Sequence, residues 1–170
     1  VGATGEDEDA NGANTVGSAG SAYIYERDAS GNWNEIQKIV ADEREFSDLF
    51  GGSVAIQGDV AMVGSRFESE DENNINTISG AGAVYVFERN QSNIWEQSQK
   101  LVASDRALTD FFGFNMALDG QYAVFGTNLN DLDENGANFN LSAGAAYIFE
   151  RDEIAGWTEV EKVVASDRGN

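Results

Sequence analysis

The sequence GSAYIYERD at residues 20–28 returns as GAVYVFERN at residues 82–90 and as GAAYIFERD at residues 144–152. The three copies are evenly spaced along the chain, with a period of about 62 residues. Side chains along each phrase alternate between two faces, and most are β-branched or aromatic, which is typical of a strand buried on at least one side. A repeat of this length indicates a supersecondary unit that buries its apolar face against neighbouring units, as in a solenoid, a propeller or another array.

Each unit is predicted to contain four short strands. In the middle unit they cover residues 50–56, 60–64 and 84–88, and the fourth begins at Trp95. Tight turns at Gln57-Gly58 and Asp119-Gly120 join the first two strands. A parallel solenoid would lack such a hairpin and would use a shorter repeat. Four antiparallel strands per unit therefore predict an all-β fold built from the blades of a β-propeller.

The repeat also predicts how the chain is divided. Three complete units would be longer than this chain of 170 residues, and the part missing from one unit corresponds to residues 47–62. We therefore expect about 2.7 repeats in a single array: an incomplete blade at residues 1–45 and full repeats at residues 46–107 and 108–170. Because open blades leave strand edges and apolar faces uncovered, we expect this array to be part of a larger or oligomeric propeller.

The composition excludes several classes of function. The net charge of −20 would repel nucleic acid phosphates, so we expect no nucleic acid partner. No apolar run is long enough to cross a bilayer, so we expect no membrane insertion. The chain has no His and no Cys, which removes the commonest general base and the usual zinc ligands. The net negative charge would also attract divalent cations.

The order of motifs resembles a known family. FGGSVAIQGDVAMVG at residues 50–64, followed by an acidic loop and GAGAVYVFER at residues 80–89, is similar to the FG-GAP repeat of integrin α-subunit propellers and of bacterial integrin-α-like surface proteins. The resemblance extends over essentially the whole chain and implies a propeller of about seven blades. It also implies an extracellular or cell-surface location. The family's Gly-Ala-Pro signature is altered here, because the chain has no proline.

A calcium site is predicted in the loops between the second and third strands. The first loop, at residues 7–12, and the last, at residues 131–136, both read D-x-D-x-N-G, whereas the central copy, at residues 69–74, lacks the glycine. Oxygens at alternate positions of a tight turn can converge on one Ca²⁺ ion, although no closing bidentate Glu follows at the twelfth position. The candidate ligands are Asp7, Asp9, Asn11, Ser69, Asp71, Asn73, Asp131, Asp133 and Asn135.

These loops have a simpler interpretation, because Asp, Asn and Gly also favour solvated turns for backbone reasons alone. Other conspicuous residues recur in every unit, which favours packing over chemistry. The Glu-Arg pair at the end of each third strand is expected to serve packing or pairing between blades. The tryptophans that open each fourth strand are expected to be buried or half-buried anchors rather than sugar-stacking residues. They are Trp33, Trp95 and Trp157.

Three functions remain open from the sequence. The first is an extracellular, calcium-binding adhesion module that binds a protein or glycan partner through residues that break the repeat, such as Arg66-Phe67 and residues 129–132. The second is a purely structural repeat within a larger surface or filament protein, which binds only other copies of the repeat, in the same chain or in an oligomer. The third is a glycoside hydrolase that uses two carboxylates. We expect no enzymatic activity, because every obvious Asp or Glu lies in a polar turn and carboxylates are too abundant for a catalytic pair to be identified.

Overall fold

The computed structural model describes residues 1–168, and the end of the last predicted repeat, residues 169–170, lies outside the described residues. The fold is all-β, as predicted. The strands are β1 (Gly2–Ala3), β2 (Ser21–Arg27), β3 (Trp33–Ile39), β4 (Ser53–Gln57), β5 (Val60–Ser65), β6 (Ala83–Arg89), β7 (Trp95–Leu101), β8 (Asn115–Asp119), β9 (Tyr122–Thr127), β10 (Ala145–Asp152) and β11 (Gly156–Val163). No helix in residues 1–168 could cross a membrane.

The strands form three antiparallel sheets, which we call the first, middle and last blades. The first blade has the order β1-β2-β3, the middle blade β4-β5-β6-β7 and the last blade β8-β9-β10-β11. The third and fourth strands of every blade share the same irregularity of register, between Ile24 and Tyr25, Val86 and Phe87, and Ile148 and Phe149. Four-stranded blades are therefore confirmed, and the repeat in sequence is a repeat in backbone geometry.

Two predicted details of the first hairpin were wrong. The first strand begins at Ser53 rather than Phe50, because Gly51 has a φ of 95° and the chain makes a parallel bridge from Phe50 to Gly20 of the preceding blade. The hairpin loop is Gly58-Asp59, since Gln57 pairs with Val60. A positive φ falls on the glycine of this loop, at 57°, as in a two-residue hairpin turn that opens with glycine.

The blades lie side by side with the same edges adjacent. Strand β4 contacts β8 at one edge, and the outer strands β3, β7 and β11 follow one another at the opposite edge. Glycine is required where blades meet: a Cβ on Gly64 would lie 2.4 Å from the carbonyl oxygen of Gly113 in the next blade. A side chain at this position would therefore collide with the neighbouring blade.

Two apolar clusters fill the spaces between blades. The cluster between the first and middle blades contains Ala22, Ile24, Ile39, Ala41, Phe50, Ala61, Val63, Ala83, Tyr85, Phe87 and Trp95. The cluster between the middle and last blades contains Val60, Met62, Val84, Val86, Leu101, Ala103, Phe112, Ala123, Phe125, Tyr147, Phe149 and Trp157. Each blade thus has a forward face, which contacts the next blade, and a rear face, which carries the tryptophan and contacts the previous one.

Across residues 1–168 the three blades form an open array rather than a closed ring. The rear face of the first blade is uncovered, and Trp33 is 68% exposed, whereas Trp95 is 4% exposed. The first blade also lacks its innermost strand, which leaves Val54 and Ile56 of β4 exposed beside it. The predicted burial of the tryptophans is therefore confirmed for two of them and wrong for Trp33, because no blade among residues 1–168 covers the face that carries it.

Candidate functional site

The three acidic loops share one backbone arrangement, seen in the first loop around Asp9. Its carboxylate accepts hydrogen bonds from the backbone N–H groups of Asn11 at 2.8 Å and Ala13 at 3.0 Å, and from the side-chain amide of Asn14. Equivalent donors surround Asp71 and Asp133: Asn73, Ile75 and Asn76 in the middle loop, and Asn135, Ala137 and Asn138 in the last. The central aspartate therefore organises each loop by satisfying local donors.

These hydrogen bonds lower the pKa of all three central aspartates. The Asn14 amide makes the largest contribution to the lowered pKa of Asp9. Burial raises the pKa of Asp71, but the hydrogen bonds to its carboxylate outweigh burial and the net shift is downward. The backbone N–H of Ala137 contributes most at Asp133, whose pKa falls to about 2. The three carboxylates are therefore ionised at neutral pH, and their charge is held by donors of the protein itself.

An arginine that follows each fourth strand holds the same loop. Arg106 donates from Nη2 to the carbonyl oxygen of Ser69 at 2.8 Å and from Nη1 to that of Asn76 at 3.1 Å. Arg44 makes the equivalent bonds to the carbonyls of Asp7 and Asn14, and Arg168 to those of Asp131 and Asn138. Sequence reasoning missed these arginines, although their recurrence at the same period as the rest of the repeat was a signal that could have revealed them.

Several oxygens of the predicted calcium loops accept hydrogen bonds from the protein itself. The first-position carboxylate of Asp7 accepts the backbone N–H of Ser18 at 2.6 Å, and the carbonyl of Ala13, two residues beyond Asn11, accepts the N–H of Asp9 at 2.8 Å. Among residues 1–168, no group of three or more acidic side chains is placed to hold a metal ion. Calcium binding therefore stays a prediction, and an ion would have to compete with these hydrogen bonds for the loop oxygens.

A buried polar network lies beneath the middle loop. Glu68 accepts the hydroxyl of Tyr85 at 2.6 Å and lies 3.4 Å from the ammonium group of Lys100, and both charged side chains are almost fully buried. Burial, followed by the negative charge of Glu68, raises the pKa of Asp48 to about 7. Two carboxylates with one raised pKa would suit acid–base catalysis, but these are engaged with protein partners inside the blade. We interpret the network as structural.

The last blade builds a similar network with a different acid. Asn130 replaces Glu68, and the hydroxyl of Tyr147 donates to Asp105 at 2.6 Å. Lys162 lies 2.6 Å from Asp105 and donates to the Asn130 side-chain oxygen at 2.9 Å. Asn130 is 1% exposed, so this part of the repeat-breaking segment 129–132 does not reach the surface. The replacement of Glu68 by Asn130 therefore changes hydrogen-bond partners inside the blade.

The other repeat-breaking pair forms a surface cluster that we call the loop-side patch: Arg66, Phe67, Phe111 and Phe114. The guanidinium of Arg66 lies 5.2 Å from the ring centre of Phe67 and 5.8 Å from that of Phe114. Phe67 and Phe111 meet edge to face at 5.0 Å. Phe67 and Phe114 remain 38% and 37% exposed, so the patch can be contacted from outside. Other blades have Thr4, Gly5, Leu49, Gly52, Asn128 and Leu129 at the equivalent positions.

The repeated Glu-Arg pairs join neighbouring blades, as predicted. Nη1 of Arg89 in the middle blade lies 2.7 Å from Oε1 of Glu26 in the first blade. Nη2 of Arg151 in the last blade lies 2.5 Å from Oε1 of Glu88 in the middle blade. Since each pair is partly exposed, its contribution to stability is small, and it chiefly sets which edge of one blade meets which edge of the next.

Antiparallel four-stranded blades, packed face to face and repeated in sequence, define a β-propeller-type repeat protein. The family model described as FG-GAP repeat matches the chain twice, at residues 33–87 and 95–149. These two matches cover more than half of the sequence, and the chain belongs to the FG-GAP repeat family. No curated protein matches this sequence.

Each match to the FG-GAP family model begins at a fourth-strand tryptophan and ends in the third strand of the next blade, so the family unit spans a blade junction. The predicted boundaries at residues 46 and 108 stay a prediction.

Proposed function

We propose that this chain is a non-catalytic binding module of an extracellular or cell-surface protein, and that it binds a protein partner through the loop-side patch. The observation that carries the proposal is the single occurrence of this patch in a chain where other surface features recur. A role in packing would be expected in every unit, whereas a recognition site is needed only once.

The chemistry of the patch suits a protein partner. Aromatic side chains and arginine are enriched among residues that dominate binding energies at protein interfaces. FG-GAP repeats typically occur in extracellular or surface proteins, which supports the proposed location. FG-GAP repeats are also generally structural or binding modules, which supports a non-catalytic role.

An array of matrix proteins and glycans tests the proposal, with Phe67→Ala as the variant. Phe139→Ala is the matched control, because Phe139 is 67% exposed but lies in the last acidic loop. We expect retention on a protein, at least about ten-fold weaker in Phe67→Ala and unchanged in Phe139→Ala. Equal binding by both variants would remove the patch from the proposal. Binding only to glycans would indicate a glycan partner instead of a protein. Loss of binding when a chelator is added would support calcium-dependent adhesion.

A purely structural role is the second candidate. It is favoured by the uncovered rear face of the first blade and the exposed forward face of the last blade. Both resemble surfaces that meet other blades inside the chain. No retention on any protein or glycan would favour this role over binding.

A further inference from the structure

One basic side chain of this acidic protein has no polar partner. The chain has 10 lysines and arginines against 30 acidic residues. Within residues 1–168, five of the basic side chains form ion pairs, and four, among them Arg27, donate to backbone carbonyls. Arg66 makes neither kind of contact with a residue that the structure describes. Since carboxylates far outnumber cations here, an arginine without one is a feature of its position rather than of the composition.

The surroundings of Arg66 are aromatic instead of acidic. Its Cζ atom lies 5.2 Å from the ring centre of Phe67 and 5.8 Å from that of Phe114. Ring faces attract a guanidinium group, but this attraction provides no carboxylate for its N–H groups. The Nε atom is buried, whereas the terminal nitrogens Nη1 and Nη2 are not. The donors that a ligand can reach therefore form the outer fork of the side chain.

The backbone on both sides of the cation is fixed by the fold. Ser65, the last residue of β5, is 1% exposed, and its hydroxyl donates to the carbonyl of Asp48 at 2.8 Å. On the last blade, the N–H of Phe114 donates to the carbonyl of Phe111 at 3.0 Å. The patch thus lies at a junction between two described blades, and its geometry is set before a ligand arrives.

A carboxylate is the ligand whose chemistry fits these donors. The planar fork of arginine pairs with carboxylate or phosphate through two parallel hydrogen bonds. The net charge of −20 repels a doubly charged phosphate more strongly than a singly charged carboxylate. Rings beside the fork also limit its contact with water, which strengthens an ion pair formed there.

The rings favour a peptide over a sugar as the source of that carboxylate. One face of Phe67 and one face of Phe114 are covered by the guanidinium, so less ring surface is left for stacking on a sugar. We propose that Arg66 binds an aspartate or glutamate side chain of the protein partner, and that the exposed parts of both rings contact an apolar residue beside it. This recognition rests on the proposed function, because it specifies the chemical group that the loop-side patch binds.

Capped dipeptides test this chemistry directly. The probe is phenylalanyl-glutamate, acetylated at its N-terminus and amidated at its C-terminus, so that its one charge is the side-chain carboxylate. The comparison is the same dipeptide with glutamine, which has a similar shape without the charge. Binding is followed by NMR chemical shifts of the whole chain in about 0.15 M salt, where the screening length is about 8 Å. We expect a dissociation constant of about 1 mM for the glutamate dipeptide, and one at least about ten-fold weaker for the glutamine dipeptide.

Variants of Arg66 separate the fork from the charge. Arg66→Lys keeps the charge and its attraction to the rings but loses the planar fork, so the glutamate dipeptide should bind several-fold more weakly. Arg66→Gln should abolish the preference for glutamate over glutamine. Arg27→Gln removes the same charge at an exposed position of the first blade and should leave that preference unchanged. Urea denaturation checks that each variant is folded.

Two kinds of result overturn the carboxylate assignment. The first is equal binding of the two dipeptides, or a preference that survives in Arg66→Gln. The second is tighter binding of another anion than of the glutamate dipeptide. The anions compared are acetyl-phenylalanine, which has a free C-terminal carboxylate, the corresponding phosphoserine dipeptide, and glucuronate as the sugar acid.

The array of matrix proteins and glycans separates this assignment from the proposed function. If both are correct, Arg66→Gln weakens retention on the protein about as much as Phe67→Ala does. Retention that depends on Phe67 but not on Arg66 would leave the binding module in place and remove only the carboxylate. Retention that neither variant weakens would remove both.

Discussion

Gln99 holds the backbone of Trp157 across the junction between two blades, donating to its carbonyl oxygen at 2.8 Å and accepting from its N–H at 2.9 Å. Replacing Gln99 with Glu keeps the acceptor and removes the donor, which leaves the Trp157 carbonyl unsatisfied. We expect the free energy of unfolding to fall by about 1–3 kcal/mol, measured by urea denaturation. Gln121→Glu changes the charge equally at an exposed hairpin position and should cost less than about 0.5 kcal/mol. Equal losses in the two variants would contradict the importance of this contact.

The three tryptophans occupy equivalent positions but differ in burial. Trp157 is 3% exposed and Trp33 is 68% exposed. Trp157→Ala should therefore destabilise the chain by about 3–5 kcal/mol, because it leaves a cavity between blades. Trp33→Ala, measured at a concentration where the chain is monomeric, should change stability by less than about 0.5 kcal/mol. Similar losses at both positions would mean that something already covers Trp33 in the single chain.

Arg106 links two carbonyl groups of the middle acidic loop. A lysine at this position keeps the charge but lacks the planar fork that reaches both oxygens. We expect Arg106→Lys to lose about 1–2 kcal/mol of unfolding free energy, whereas Arg27→Lys, at an exposed position, should lose almost none. Full stability of Arg106→Lys would show that charge alone holds the loop.

The same loops should be largely indifferent to calcium. Their central aspartates each accept three hydrogen bonds from the protein, as Asp71 does, and an arginine holds their carbonyls. Because a ligand specific to the folded state must stabilise it, thermal unfolding reports binding directly. We expect the midpoint to move by less than about 1 °C in millimolar Ca²⁺, as in Mg²⁺ at the same concentration. A saturable rise with Ca²⁺, reduced by Asp71→Asn, would instead confirm the metal prediction.

Asp48 should make stability depend on pH. Its pKa is raised from 3.8 to about 7 by burial and by Glu68, partly opposed by the N–H of Glu45 and the charge of Lys100. Between these two pH values the unfolded chain has lost a proton that the folded chain keeps, so stability falls as the pH rises from about 4 to 7. Asp48→Asn should flatten that decline and be roughly 1–2 kcal/mol more stable than the parent at pH 8.

This dependence of stability on pH can be separated from the one that the acidic loops produce. The pKa of Asp133 is lowered to about 2, so its contribution is present above the unfolded value of 3.8 and is lost only as the pH falls toward 2. Denaturation curves at closely spaced pH values distinguish the two windows. A decline between pH 4 and 7 that is unchanged in Asp48→Asn would assign the effect to another group.

Local patterns predicted most of the fold. Alternation in the phrase around Tyr85 depends only on neighbouring residues and on the two faces of a strand, and the regular period of the sequence requires equivalent blades. The start of β4 was misplaced, because Phe50 bridges to Gly20 of another blade, a contact that no local pattern reveals. The loop ligands were predicted from spacing alone, which says nothing about Arg106, a residue 30 positions beyond Asn76.

The sequence by itself determined the repeated unit, its strands and its membership of an all-β blade architecture, because these follow from periodicity. Only the tertiary structure decided which oxygens bind protein donors, that Asn130 is internal, and that Arg66 joins aromatic rings from two blades. Those outcomes depend on side chains brought together from different units. The same physical reason separates Trp33 from Trp95: identical residues in equivalent units differ in burial according to whether a neighbouring blade is present.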